Sequence, residues 1–89
     1  MIDLLNDYKT PIERAKEIAQ RERMIRKRKK ITQAQMASRI GISLSTYKRF
    51  EATGNISLES LLMIASVLGC EDDFDKVFDH PDYSRALND

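Results

Sequence analysis

Residues 31–51 read Ile31-Thr32-Gln33-Ala34-Gln35-Met36-Ala37-Ser38-Arg39-Ile40-Gly41-Ile42-Ser43-Leu44-Ser45-Thr46-Tyr47-Lys48-Arg49-Phe50-Glu51. Thr32 is a good N-cap, and Gln35 three residues on completes a capping box. A helix is predicted over Gln33–Ile40, with Met36, Ala37 and Ile40 at helical spacing. Gly41 follows where a left-handed residue stops a helix at low steric cost. Ile42 turns back to the core. Ser43 then caps a second helix, Leu44 to Glu51, which exposes Leu44, Ser45, Lys48 and Arg49 and buries Tyr47 and Phe50. Small Ala37 falls where the two helices cross, a place that a larger side chain would wedge open.

Two short helices, a tight turn and an outward face of polar and basic side chains form the layout that sets one helix in the DNA major groove. The plain alternative is a pair of core helices joined by glycine. Caps, turn glycine, small residue and apolar spacing all agree on the first reading.

The surrounding chain supports it. Net charge is only +1, but residues 21–49 hold ten Lys/Arg against Glu22 alone, a balance of +9. Residues 71–89 hold seven acids against Lys76 and Arg85, a balance of −5. A molecule polarised in this way offers a basic face to phosphates while staying near neutral.

Upstream, Thr10-Pro11-Ile12-Glu13 is a helix start with a capping threonine, a first-turn proline and a glutamate at the capping-box position. That helix is predicted to run to about Lys29, with Ala15, Ile18, Ala19 and Ile25 inward and Glu22 interrupting the stripe. Downstream, Gly54-Asn55 marks a loop. Ser57 caps a helix to Leu68 with Leu58, Leu61, Leu62, Ala65 and Leu68 on one face, and Gly69 stops it. A last helix is expected over Glu71–Phe78, burying Phe74, Val77 and Phe78, with acids suiting its N-terminus. His80-Pro81 would end it. Residues 1–9, with Ile2, Leu4, Leu5 and Tyr8, read as a leader, 10–79 as one all-α DNA-binding domain and 80–89 as a polar tail.

At 89 residues the chain makes one domain. No apolar run is long enough to span a membrane, and no basic segment followed by an apolar stretch marks secretion. The single cysteine, Cys70, cannot form an internal disulfide, and a reducing cytoplasm fits. Enzyme chemistry finds no support. His80 and Cys70 are the sole His and Cys and pair with no second ligand. No glycine-rich phosphate loop exists, and Asp72, Asp73 and Asp75 lack calcium-loop spacing. No catalytic residue, metal or cofactor is expected.

From about Ile18 to Phe78 the chain resembles the lambda-repressor-like, Xre-type helix-turn-helix domains. The resemblance rests on Arg26, Thr32-Gln33, Met36-Ala37, Ile40-Gly41-Ile42-Ser43, Tyr47, Phe50-Glu51 and Ile56-Ser57-Leu58-Glu59-Ser60-Leu61-Leu62. It implies a five-helix fold, here with an extended first helix, whose second and third helices read DNA. The ending Phe50-Glu51…Thr53-Gly54…Ile56-Ser57-Leu58, with Leu68-Gly69 and Asp72-Asp73-Phe74…Val77-Phe78, also resembles small HipB-like antitoxins. Two departures stand out. Tyr47 fills a position where the family more often has isoleucine or valine, and Lys29-Lys30 replaces the usual glycine before Ile31.

The resemblance implies that Gln33 contacts phosphate or a base beside the third helix. It places Ser43, Leu44, Ser45, Lys48 and Arg49 against bases or backbone. Chemistry assigns Arg49 to guanine O6 and N7, a bidentate pair worth about 1–3 kcal/mol of discrimination, and Leu44 to a thymine methyl. Thr46 and Asn55 are expected on phosphate oxygens, as are Arg28 and Lys29, while Lys48 suits either. Arg26 and Glu51 stand where the family pairs an arginine with a glutamate, and a structural ion pair is expected of them. The function expected is sequence-specific binding of double-stranded DNA by a homodimer on a palindromic operator, with repression as the output. The competing expectations are an antitoxin that holds a HipA-like toxin kinase and represses its own operon, and a protein-interaction module without DNA binding.

Overall fold

The computed structural model describes residues 8–84, so the leader residues Ile2, Leu4 and Leu5 and the end of the polar tail lie outside the described residues. Four helices make the fold: α1 (Pro11–Arg28), α2 (Gln33–Ile40), α3 (Leu44–Thr53) and α4 (Leu58–Leu68). A 3-10 turn at Glu71–Asp73 follows, and a single helical turn at Pro81–Ser84 closes the described chain. No strand occurs among the described residues, and no helix among them is long and apolar enough to cross a membrane.

Each helix begins on a hydroxyl that accepts a hydrogen bond from a first-turn amide: Thr10 from Glu13, Thr32 from Gln35, Ser43 from Thr46 and Ser57 from Ser60. At Thr32 the box is complete, since the Gln35 side chain accepts from the Thr32 amide at 2.9 Å. Such caps satisfy amides that have no partner inside the helix and contribute about 1 kcal/mol apiece.

The end of α1 is unusual. The Ile31 amide donates to the Arg26 carbonyl at 3.2 Å and the Lys30 amide to the Lys27 carbonyl at 3.0 Å. These two bonds define a Schellman stop, whose left-handed position glycine normally fills. Lys30 fills it here with φ 57°. The stop therefore forms without glycine, and a β-carbon in this conformation costs about 1–2 kcal/mol.

The core gathers Ala19 from α1, Met36, Ala37 and Ile40 from α2, Tyr47 and Phe50 from α3, and Ile64 and Leu68 from α4. Tyr47 and Phe50 pack as tilted rings with centroids 6.1 Å apart. α1 packs chiefly on α3, and α2 on both α3 and α4. Gly54 seals the α1–α3 contact. A β-carbon there would stand 2.5 Å from the Ala15 carbonyl carbon.

Three expectations need correction. Glu22 does not interrupt the inner face of α1; it is part of it, since Ala19, Glu22 and Arg26 are the buried residues while Ile18 is exposed. The reason is a polar partner on α3. On α4 the buried residues are Ile64, Ala65 and Leu68, whereas Leu58 and Leu62 face outward.

The fifth helix over Glu71–Phe78 is absent. The 3-10 turn gives way to a run of turns, with Phe74 half-buried and Val77 and Phe78 exposed. Phe78 itself is left-handed at φ 60°. Aspartates at 72, 73 and 75 are poor helix formers that compete for backbone groups, and no side chain caps the segment.

Candidate nucleic-acid interface

Burial of Tyr47, Phe50 and Glu51 orients α3. Residues at the complementary helical angles, Leu44, Ser45, Thr46, Lys48 and Arg49, are all exposed. Ser43 sits at the cap, where its hydroxyl donates to Thr46 Oγ1 at 2.7 Å and meets Ser45 Oγ at 3.1 Å. The three hydroxyls at the start of α3 form one preorganised cluster.

Arg49 and Asn55 line one shallow depression with Pro11 and Ile12 from the first turn of α1. The partial positive charge of that helix end adds to the arginine, a combination that suits an anion. Arg28 and Lys29 are exposed at the opposite end of α1. Between residues 12 and 28 a helix rises roughly 25 Å, so these two basic groups lie near opposite ends of α1.

Arg26 and Glu51 form a buried, bidentate pair. Arg26 Nε donates to Glu51 Oε2 at 2.8 Å and Nη2 to Oε1 at 2.9 Å. Arg26 Nη1 donates to the Ile31 carbonyl at 2.8 Å, which ties the turn before α2 to the same group. Gln33 Nε2 also donates to Glu51 Oε1, at 2.9 Å. The base of α2 is thereby anchored to α3, and Gln33 is half-buried with its amide nitrogen on Glu51. With Arg26 neutralised, nine of the ten cations between 21 and 49 remain exposed: Arg21, Arg23, Lys27, Arg28, Lys29, Lys30, Arg39, Lys48 and Arg49.

The cluster has a member that sequence reading left out. Glu22 is buried against the same group, and the Tyr47 hydroxyl donates to Glu51 Oε2 at 2.8 Å while also meeting Glu22 Oε2. Burial, reinforced by a hydrogen bond to Glu51, pushes the Glu22 carboxyl up to about 8. Burial would raise Glu51 too, but hydrogen bonds from Arg26, Glu22, Gln33 and Tyr47 outweigh it and hold Glu51 down at about 2. One carboxyl thus stays neutral beside one carboxylate. Burial and hydrogen bonds to Glu22 and Glu51 raise the Tyr47 phenol well above its usual range. One phenolic hydrogen cannot serve two acceptors, so the cluster needs the proton that neutral Glu22 retains. Glu22 Oε1 is left buried without a partner. The available signal was spacing: Glu22–Arg26 and Tyr47–Glu51 each lie four residues apart, so two polar pairs face each other across the α1–α3 contact.

Comparison with known proteins agrees with this geometry. The helix-turn-helix family matches over residues 23–74, more than half the chain. The chain is 49% identical over 51 residues to a Vibrio cholerae protein, the cryptic phage CTXphi transcriptional repressor RstR. That match covers 54% of this chain and 46% of the relative, so the chain corresponds to about half of that protein's length. No solved structure matches. The capped α2, the Gly41 turn, the exposed face of α3 and the family match together establish that the chain belongs to the Xre-type helix-turn-helix family of DNA-binding regulators.

Proposed function

We propose that this protein binds double-stranded DNA sequence-specifically and represses transcription as a homodimer on a partly palindromic operator. The observation that carries the reading is the exposed polar and basic face of α3, held rigidly by the buried Arg26–Glu51 pair and flanked by exposed cations at both ends of α1. Arg49 is the candidate for bidentate contact with guanine and Leu44 for a thymine methyl. Lys48 serves base or backbone. Ser43, Ser45, Thr46 and Asn55 suit phosphate or base-edge hydrogen bonds, and Arg28 and Lys29 suit phosphates. Gln33, half-buried at the start of α2, is the candidate for a phosphate contact or a base beside α3. Repression has its support in the name of the relative, which is a repressor. A dimer is the physical route to specificity, because a single small module reads too few base pairs to find one site in a genome.

The test is selection of bound duplexes from a random pool with the purified protein. The expected product is an enriched site with two-fold symmetry and half-sites about 10–10.5 bp apart, or a multiple of this. Arg49→Ala should relax preference at one or two positions of that site. Arg28→Ala or Lys29→Ala should weaken all sequences alike and lower the salt slope by about 1. An unchanged preferred site in Arg49→Ala would remove Arg49 from base reading. No enrichment with folded protein would overturn the proposal.

A further inference from the structure

The reading face leaves one part of the molecule unused. α1 and α4 make little direct contact, and the space between them is a groove of about 330 Å³. Its walls are mostly apolar, with Ile18 and Ile25 from α1, Leu61 and Leu68 from α4, and Phe74, while Arg21 and Glu22 on α1 and Asp73 in the 3-10 turn are its charged residues. A few residues further along, Val77 is 55% and Phe78 88% exposed. Among the described residues, therefore, nothing fills the groove, and Phe78 has no place in the core. Exposed apolar groups that cluster in this way mark contact surfaces.

Charge identifies the occupant. Residues 75–82 around Phe78 hold three acids, Asp75, Asp79 and Asp82, against Lys76. Arg14 and Arg21 are exposed and lie on the same helical stripe as Ile18 and Ile25, at spacings of four, three and four. The groove thus has a basic edge along α1, and the segment offered to it is acidic and aromatic. Each copy of the chain carries both halves, which is the condition for a closed two-fold contact in which the same surface is used twice. None of the groove residues lies on α2 or α3, so both reading faces stay free.

We propose that Val77 and Phe78 of one copy dock in the α1–α4 groove of a second copy, with Asp75, Asp79 and Asp82 beside Arg14 and Arg21, and that the contact is reciprocal. The inference rests on the homodimeric reading above and names the surface that reading needs.

Phe78→Trp tests it, because the natural chain contains no tryptophan and the new indole is the sole reporter. Position 78 is exposed, so the variant should keep the parent's urea midpoint. The expected result is emission that shifts to the blue as protein rises from submicromolar to millimolar concentration, in step with a doubling of mass by sedimentation. Phe78→Asp and Arg21→Glu should each raise the dimer dissociation constant about tenfold or more. A dimer of the Phe78→Trp variant that keeps the emission of a solvent-exposed indole overturns the surface while leaving the dimer intact. A blue shift independent of concentration means that the segment closes on its own groove, which also overturns the proposal. A monomer at every concentration overturns both this contact and the dimeric reading, while DNA recognition is judged separately by the duplex selection.

Discussion

The contact of α1 with α3 and the gap between α1 and α4 use the same helix in opposite ways. On one side α1 presents Ala19, Glu22 and Arg26, and α3 answers with Tyr47 and Glu51 in a dense polar cluster at hydrogen-bond distances. On the other side it presents Ile18 and Ile25 to an apolar groove that nothing among the described residues fills. The polar contact fixes a geometry, since every donor has one direction, and it is the contact that positions the reading helix. The apolar gap fixes none, and it is where the proposed contact with a second copy falls. A small regulator needs rigidity and adhesion, and here they are divided between two faces of one helix.

The largest way to break this contrast is Glu51→Ala. It leaves Arg26 charged and buried with its bidentate partner gone, a loss of about 3–5 kcal/mol. Urea unfolding measures it, and a loss below about 1 kcal/mol would put the pair in the class of exposed ion pairs. Phe78→Ala on the other face should leave monomer stability unchanged.

Next comes pH. The folded-state carboxyl of Glu22 is raised to about 8 from an ordinary 4.5. Its contribution is complete below pH 4.5, declines as pH rises and is gone above about 8, because ionisation places a second negative charge beside Glu51. Glu51, held down at about 2, contributes above 4.5 and loses its effect as pH falls toward 2. The urea midpoint should therefore fall between about pH 4.5 and 8, and Glu22→Gln should flatten that fall. An equal slope in the variant would assign the loss to another group.

Gly54→Ala follows, with an expected cost of about 2–3 kcal/mol, since the new carbon meets Ala15 backbone as well as a left-handed φ. Gly41→Ala shares the left-handed φ but meets nothing within 4 Å. It should cost about 1 kcal/mol. Equal losses at the two sites would deny the close approach of α1 to the α3 terminus. The smallest effect is a gain. Lys30→Gly should stabilise by about 0.5–1 kcal/mol, the relief of the left-handed lysine offset in part by the freer unfolded chain.

The four helices were legible because their signals are local. Thr10, Thr32, Ser43 and Ser57 cap the turns they precede, and Gly41, Gly54 and Gly69 stop the helices they follow. The exposed face of α3 was legible for the same reason, since burial of Tyr47 and Phe50 dictates which residues point away. Glu22 was not. A glutamate in an apolar stripe reads as a break until a phenol and an arginine-bound carboxylate are brought against it from residues 47 and 51. The Glu71–Phe78 segment failed in the other direction. Its spacing suits a helix, but Val77 and Phe78 find no surface in their own chain, and spacing alone supplies no energy.

By itself the sequence determined the starts of the four helices, the turn at Gly41 and the family, because capping, glycine stereochemistry and apolar periodicity act over a few residues. Tertiary structure alone decided three things: the protonation of Glu22, the bond from Gln33 to Glu51, and the groove between α1 and α4. Each depends on groups far apart in the chain whose separation is set only when the helices pack, and electrostatic energies and cavity shapes change steeply with that separation.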